Sequence, residues 1–260
     1  MDNSLPTLFL SHGAPDLALR GGVAAEFLRS LHQYFVKPQA IVVVSAHWGS
    51  TIPKVSAAVA PQTIHDFSGF PAELYSLNYP APGSPALADR IVTLLGQADI
   101  TCQTDPRRGF DHATWLPLLL AYPAADIPVV QLSVQENRDA SYHWHLGQAL
   151  GTLRQEGVLI IGSGGATHNL REFRAQYDAA PPNWVQQFDD WLGEAIAQQD
   201  WHRLLHYRQL APYAKENHPT EEHLLPLLVA LGAAGPNPKG IQLHQSYTYG
   251  VFSMAAYAFT

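Results

Sequence analysis

The chain has 260 residues, 47% of them hydrophobic and 14% charged, a composition that builds a packed core and excludes an intrinsically disordered protein. Acidic residues outnumber basic ones 22 to 15, for a formal charge of −7 without long runs of either sign; this argues against nucleic-acid and polybasic membrane partners, which need a basic face. The single cysteine, Cys102, excludes an internal disulfide and fits a reducing compartment. Asp2 stands where a signal peptide carries positive charge, and no apolar run approaches about 18 residues, so a cytoplasmic protein is expected.

In chain order, residues 7–10 form a short apolar run that predicts a buried strand ending at Ser-His-Gly. Residues 22–34 place Ala25, Phe27, Leu28 and Leu31 near one helical face, and 40–45 (AIVVVS) predict a second strand ending at Ala-His-Trp. The stretch 61–83, rich in Pro, Gly and aromatics, is long for a connection and is expected to serve as a lid or pocket wall. A helix over 84–95 follows, with Ser84 as N-cap and Pro85 at its first position. Helices over 115–121, 140–156, 184–207 and 221–231 alternate with strands over 127–134 and 158–161, and 240–259 predicts further strands, as a hairpin or edge pair. Alternating elements whose strands are apolar on both faces imply an α/β fold: a mostly parallel central sheet with helices on both faces, in one domain over 1–260.

The 13 histidines nearly match the 15 lysines and arginines, so their positions matter. His12, His47 and His168 each follow a predicted strand, where ligands of open α/β sheets bind. A lone histidine there is usually structural; three at separate strand ends point to one cluster. His112 in GFDHATW, His65 in the loop, and His218 and His223 in HPTEEH also have polar or turn surroundings. His32, His143, His145, His202, His206 and His244 fall within regular patterns and are expected on the surface or in the core. HExxH, CxxC and EF-hand patterns are absent, as is the GxSxG elbow. GSGGAT at 162–167 lacks both the third glycine of a dinucleotide fingerprint and the Lys-Ser/Thr of a P-loop; it predicts a flexible turn that approaches a ligand and presents His168.

The segments LFLSHGAP (8–15), PQAIVVVSAHW (38–48), TIHDFSGFPAELYSLNYPAPGSP (63–85), GFDHATWLPL (109–118), DIPVVQLS (126–133), GSGGATHNLR (162–171) and HPTEEHLLPLLVALGAAG (218–235) run almost end to end in the order of a known family. The chain resembles the class III extradiol ring-cleaving dioxygenases, most closely their DOPA 4,5-dioxygenase branch. The resemblance implies metal ligands at His12, His47 and His223, a fourth ligand or a general base at His168, and His112 near the substrate. Many relatives read HGSP where this chain reads HGAP, so Ala14 replaces a hydroxyl and bears on substrate preference.

The expected reaction opens a catechol ring next to its diol with O2 at one divalent metal ion, with no nucleic-acid or membrane partner. Imidazole ligands suit zinc and iron alike, and zinc is redox-inert, so Zn2+ is expected as found and Fe2+ for turnover. His168 or His112 would take the catechol proton and return it. His65 and Trp48 are candidates for substrate binding, and Phe67, Phe70 and Trp115 for walling the ring, with plain packing the simpler role for the aromatics. Asp66 and Asp111 are candidates for orienting imidazoles, with surface solvation the simpler role. Two other functions fit the same histidines: a zinc-dependent hydrolase, and a non-catalytic binding protein.

Overall fold

The computed structural model describes residues 4–260, and the apolar runs at 7–10, 40–45, 129–134 and 158–161 lie in one eight-stranded sheet. The strands are β1 (Thr7–Ser11), β2 (Ala40–Gly49), β3 (Lys54–Ser56), β4 (Gln103–Asp105), β5 (Val129–Val134), β6 (Val158–Gly164), β7 (Gly240–His244) and β10 (Ala256–Phe259). A small second sheet pairs β8 (Tyr247–Thr248) with β9 (Phe252–Ser253). The order across the large sheet is β4-β3-β5-β2-β6-β1-β10-β7. The four central strands β5, β2, β6 and β1 are parallel, while β10 pairs antiparallel with β1 and with β7, and β3 pairs antiparallel with β5.

Successive side chains on the central strands enter opposite cores. Ile41 and Val43 face the helices Val23–Ser30 and His112–Ala121, with Leu8, Leu10, Leu159 and Ile161 beside them. Val42 and Val44 face the helices Pro85–Gln97, Ala140–Leu150 and Leu225–Ala233, with Ile160. Burial on both faces is why these strands are unbroken apolar runs, and each such side chain contributes about 1.5–3 kcal/mol. The strands β3 and β4 escape sequence reasoning because each has three residues near the sheet's margin and Val55 is their one apolar side chain.

Local chemistry sets the helix limits. Ser84 Oγ accepts the Leu87 N–H at 3.2 Å, and Pro85 opens that helix as expected. The expected helix over 140–156 tightens into a 3-10 turn at Gly151–Glu156 and stops at left-handed Gly157. The expected long helix over 184–207 breaks into Asn183–Ala197, Trp201–Leu205 and Tyr207–Leu210, because Gln199 turns left-handed (φ 57°) and Asp200 caps a new start at Arg203 N–H. No helix among the described residues is long and apolar enough to cross a membrane.

Two features of the sheet shape its carboxyl end. First, β2 continues past Ser45: Ser45 pairs with Ser133 and Gly49 with Val134, so Ala46, His47 and Trp48 bulge out of the β2–β5 ladder. A bulge of this kind re-aims the side chains it carries. Second, the glycines of β6 serve packing rather than a flexible turn. A Cβ on Gly162 would stand 2.1 Å from the Pro226 carbonyl oxygen, and one on Gly164 would stand 2.0 Å from that of His223. The Gly165 N–H donates to His223 O at 2.9 Å, fixing the entry to the helix Leu225–Ala233 against the sheet.

Gly164→Ala is therefore expected to lower the unfolding free energy by about 1–3 kcal/mol through overpacking. Gly96→Ala, whose Cβ meets nothing within 4 Å on the helix Pro85–Gln97, is expected to be neutral or to stabilise by up to about 1 kcal/mol. Urea unfolding of the two variants checks the contrast.

Candidate metal centre

Three histidines meet at the carboxyl end of the parallel strands. His12 directly follows β1, held by its N–H to Gly164 O at 3.0 Å. His47 sits in the β2 bulge, where its N–H donates to Ser45 Oγ at 3.1 Å. Ser45 Oγ in turn donates to Asp111 Oδ1 at 2.8 Å. Asp111, fully buried, also receives Arg108 at 2.7 Å and the Gln131 amide, and Arg108 reaches His47 O at 3.5 Å. His223 stands at the turn that the β6 glycines admit.

The His47 Nε2 atom lies 3.2 Å from His12 Nε2 and 3.2 Å from His223 Nε2. The outer nitrogens reveal which tautomer each ring holds. His223 Nδ1 meets Glu222 Oε1 at 2.8 Å and His47 Nδ1 meets Asp66 Oδ2 at 3.3 Å, and an ionised carboxylate only accepts. His12 Nδ1 meets Ser163 Oγ at 3.4 Å, whose own hydrogen goes to Ala113 O. All three rings thus carry hydrogen outward on Nδ1 and turn lone pairs inward on Nε2. Burial, and then the neighbouring imidazoles, hold His12 and His223 well below the usual histidine pKa, so both are neutral. Three converging lone pairs repel one another unless a cation sits among them. Nitrogen ligands about 2.0–2.1 Å from a tetrahedral ion lie about 3.3 Å apart, so this donor set fits one divalent metal ion.

His168 lies outside that triplet. Its ring stacks on His223 with centroids 3.4 Å apart and planes 8° from parallel, and groups with Glu222 and His223. Burial first, then His218, pushes its pKa down to about 3. Its ring nitrogens make no hydrogen bond to the described protein. His112 approaches His47 with ring centroids 4.1 Å apart and stands edge-on to His12 at 5.2 Å. Its Nδ1 meets Asp66 Oδ1 at 3.0 Å. Burial raises the Asp66 carboxyl, but hydrogen bonds from His112 and His47 outweigh it and leave the group well below the usual carboxylate range.

A cavity of about 270 Å³ opens onto His12, His47, His112 and His168. Its apolar wall includes Ala14, Phe67, Phe70, Leu170, Phe173 and Phe252. The loop 61–83 is therefore a pocket wall, through Asp66, Phe67, Ser68 and Phe70. His65 and Trp48 are not on that wall. His65 Nε2 donates to Leu77 O at 3.0 Å and its ring packs against Phe67 and Trp115, while Trp48 lies under the Arg108 guanidinium at 4.8 Å. Trp115 is fully buried and donates to Ile64 O, which is packing. His143 and His218 are buried framework, the first bonded to Asp139 O and Gln135 N, the second to Ala166 O. Phe173 and Phe252 went unnoticed in the sequence because neither belongs to a motif; Glu222 had a signal, its place beside His223.

Residues 8–260 match the family described as the catalytic LigB subunit of aromatic ring-opening dioxygenase. The chain is 46% identical to a 4,5-DOPA dioxygenase extradiol of Beta vulgaris, covering 100% of this chain and 98% of that one. It is 42% identical to a 4,5-DOPA dioxygenase extradiol of Escherichia coli K12, over 88% of this chain and 85% of that one. The crystal structure of an uncharacterized protein, JW3007, from Escherichia coli K12 superposes with a TM-score of 0.82 at 35% identity, covering 98% and 99% of the two chains. With strands, histidine cluster and sequence in agreement over nearly its whole length, the chain belongs to the LigB family and is an extradiol aromatic ring-opening dioxygenase.

Proposed function

We propose that this enzyme opens a catechol of the DOPA type next to its diol, at one divalent metal ion held by His12, His47 and His223. The observation that carries this reading is the inward convergence of three Nε2 lone pairs whose Nδ1 partners are all filled. When bound, Fe2+ supplies the one-electron relay that dioxygen chemistry needs, which redox-inert Zn2+ does not, so zinc as found and iron for turnover remain the assignment.

The chain's own residues bind the ring and move its protons. The apolar wall of Phe67, Phe70, Phe173 and Phe252 accepts an aromatic ring and keeps water from it. His168, whose ring makes no hydrogen bond to the described residues, takes the catechol proton and returns it later. His112 offers Nε2 to the substrate while Nδ1 is held by Asp66. Ala14 on the wall leaves that point without the hydroxyl many relatives carry, which shifts preference toward less polar ring substituents. A zinc hydrolase is disfavoured because Asp66, the one carboxylate among the described residues that line the cavity, is engaged by His47 and His112 and is not free to activate water. The chain acts as one catalytic domain over 1–260, in the cytoplasm, where an unpaired Cys102 is at home.

His12→Ala, His47→Ala and His223→Ala are each expected to abolish stoichiometric binding of Zn2+ or Fe2+, measured by metal analysis after desalting. His168→Ala is expected to keep the metal and lose about 10²–10⁴-fold in catechol turnover; loss of metal instead would make it a ligand. Protein loaded anaerobically with Fe2+ is expected to consume oxygen and form a yellow ring-opened product when L-DOPA and air are added. The zinc-loaded, iron-free protein is expected to do neither. Oxygen uptake by the zinc form would overturn the metal assignment, and none by the iron form with a panel of catechols would overturn the substrate class.

A further inference from the structure

The Asp66 carboxylate stands between two imidazoles assigned to different work. Oδ2 lies 3.3 Å from Nδ1 of His47, while Oδ1 lies 3.0 Å from Nδ1 of His112 and accepts the His112 backbone N–H at 2.9 Å. A carboxylate that only accepts satisfies both rings at once only when both carry hydrogen on Nδ1. That choice leaves the His47 lone pair on Nε2, facing His12 and His223. It also leaves the lone pair of His112 on Nε2, which has no partner among the described residues and belongs to a ring that lines the cavity.

The placement of Asp66 is built into the fold. Its loop is fastened to the segment that enters the helix His112–Ala121: Ile64 N–H donates to Phe110 O at 2.7 Å, and Phe110 N–H donates to Gln62 O at 2.8 Å. Trp115 Nε1 donates to Ile64 O at 3.0 Å from inside that helix. The carboxylate is thus held in register with His112 from both sides of the loop. His47, Asp66 and His112 are also close enough to hold an ion of their own. The nitrogens that face Asp66 are the two Nδ1 atoms, however, and hydrogen bonds satisfy all three contacts without a second ion.

We infer that Asp66 is a positioning residue that sets the tautomer and ring orientation of His47 and His112 together, so that one side chain fixes both the metal affinity and the nitrogen offered to the substrate. The metal part rests on assigning His47 to the metal set; the tautomer part stands on the contacts of Asp66 with the two Nδ1 atoms alone. Asp66→Asn tests it with little change of shape, because an amide has one accepting oxygen and one donating nitrogen and can keep only one of the two Nδ1–H partners. In apo-protein labelled with ¹⁵N-histidine, NMR is expected to show hydrogen on Nδ1 of both His47 and His112, and Asp66→Asn is expected to move one of them to the other tautomer. Asp66→Ala, which removes both acceptors and adds no donor, is expected to release both rings. Zn2+ affinity, measured in competition with a chromophoric chelator, is expected to fall about 10–100-fold in Asp66→Ala, and in Asp66→Asn when His47 is the ring that changes tautomer. Unchanged tautomers together with a Zn2+ affinity within about twofold of the parent, in variants with native far-UV circular dichroism, would overturn the inference. Both measurements omit catechol and dioxygen, so a failed oxygen assay would count against the substrate and leave this result standing.

Discussion

The constraint on which the rest of the structure depends is the inward convergence of three imidazole lone pairs, His12 and His47 3.2 Å apart at Nε2 and His47 and His223 likewise. Such a cluster is unfavourable by itself, because burial denies His12 and His223 water and keeps them neutral while the lone pairs face one another. The fold holds it by filling every outward Nδ1, with Glu222, Asp66 and Ser163, so that no ring gains by turning. An ion at 100 times its dissociation constant would then add about 2.7 kcal/mol to the folded state, as much as one strong outer hydrogen bond to a charged group, about 1.5–3 kcal/mol. Under the proposed assignment, metal binding and folding are linked, and the outer bonds set how well formed the cluster is without an ion.

The three converging imidazoles come from positions 12, 47 and 223, and a different device delivers each. His12 needs only the end of β1, whose last residue pairs with Gly164. His47 needs the bulge that lifts Ala46–Trp48 out of the ladder, and buried Asp111 braces it through Ser45 and Arg108. His223 needs β6 to lack side chains where the chain crosses it, which Gly162 and Gly164 provide. Packing of the helix Leu225–Ala233 on the sheet and construction of the histidine cluster are thus one event. Space at Gly164 controls both.

The central strands and the position of the cluster were legible in the sequence because two strong periodic signals carry them. Residues buried on both faces of a parallel sheet must be continuously apolar, and ligands of such sheets gather at strand ends, so His12 and His47 stood out. What was hidden depends on long-range contact. The glycines of GSGGAT looked like a flexible turn because the chain they admit is about 60 residues away. Trp48 and His65 looked like pocket residues because they neighbour the site in sequence, yet the bulge turns Trp48 toward Arg108 and a hydrogen bond turns His65 toward Leu77. Phe173 and Phe252 reach the wall from segments that no motif marks. The stack of His168 on His223 was equally invisible, since ring orientation leaves no trace in spacing.

That stack bears on how the site divides its labour. His168 lies against a ring assigned to the metal, with planes 8° apart, so its own nitrogens point along the same plane and not at the point where the three Nε2 atoms converge. For His168 to become a fourth ligand its ring would have to leave this stack, giving up contact with Phe252 as well. His112 is held the other way, edge-on to His12 and pinned by Asp66. One proton-handling ring is thus free at both nitrogens and the other is free at one. Of the two, His168 keeps more nitrogen positions open and His112 the more fixed orientation, which fits the proposed division into a proton-moving and a substrate-holding ring.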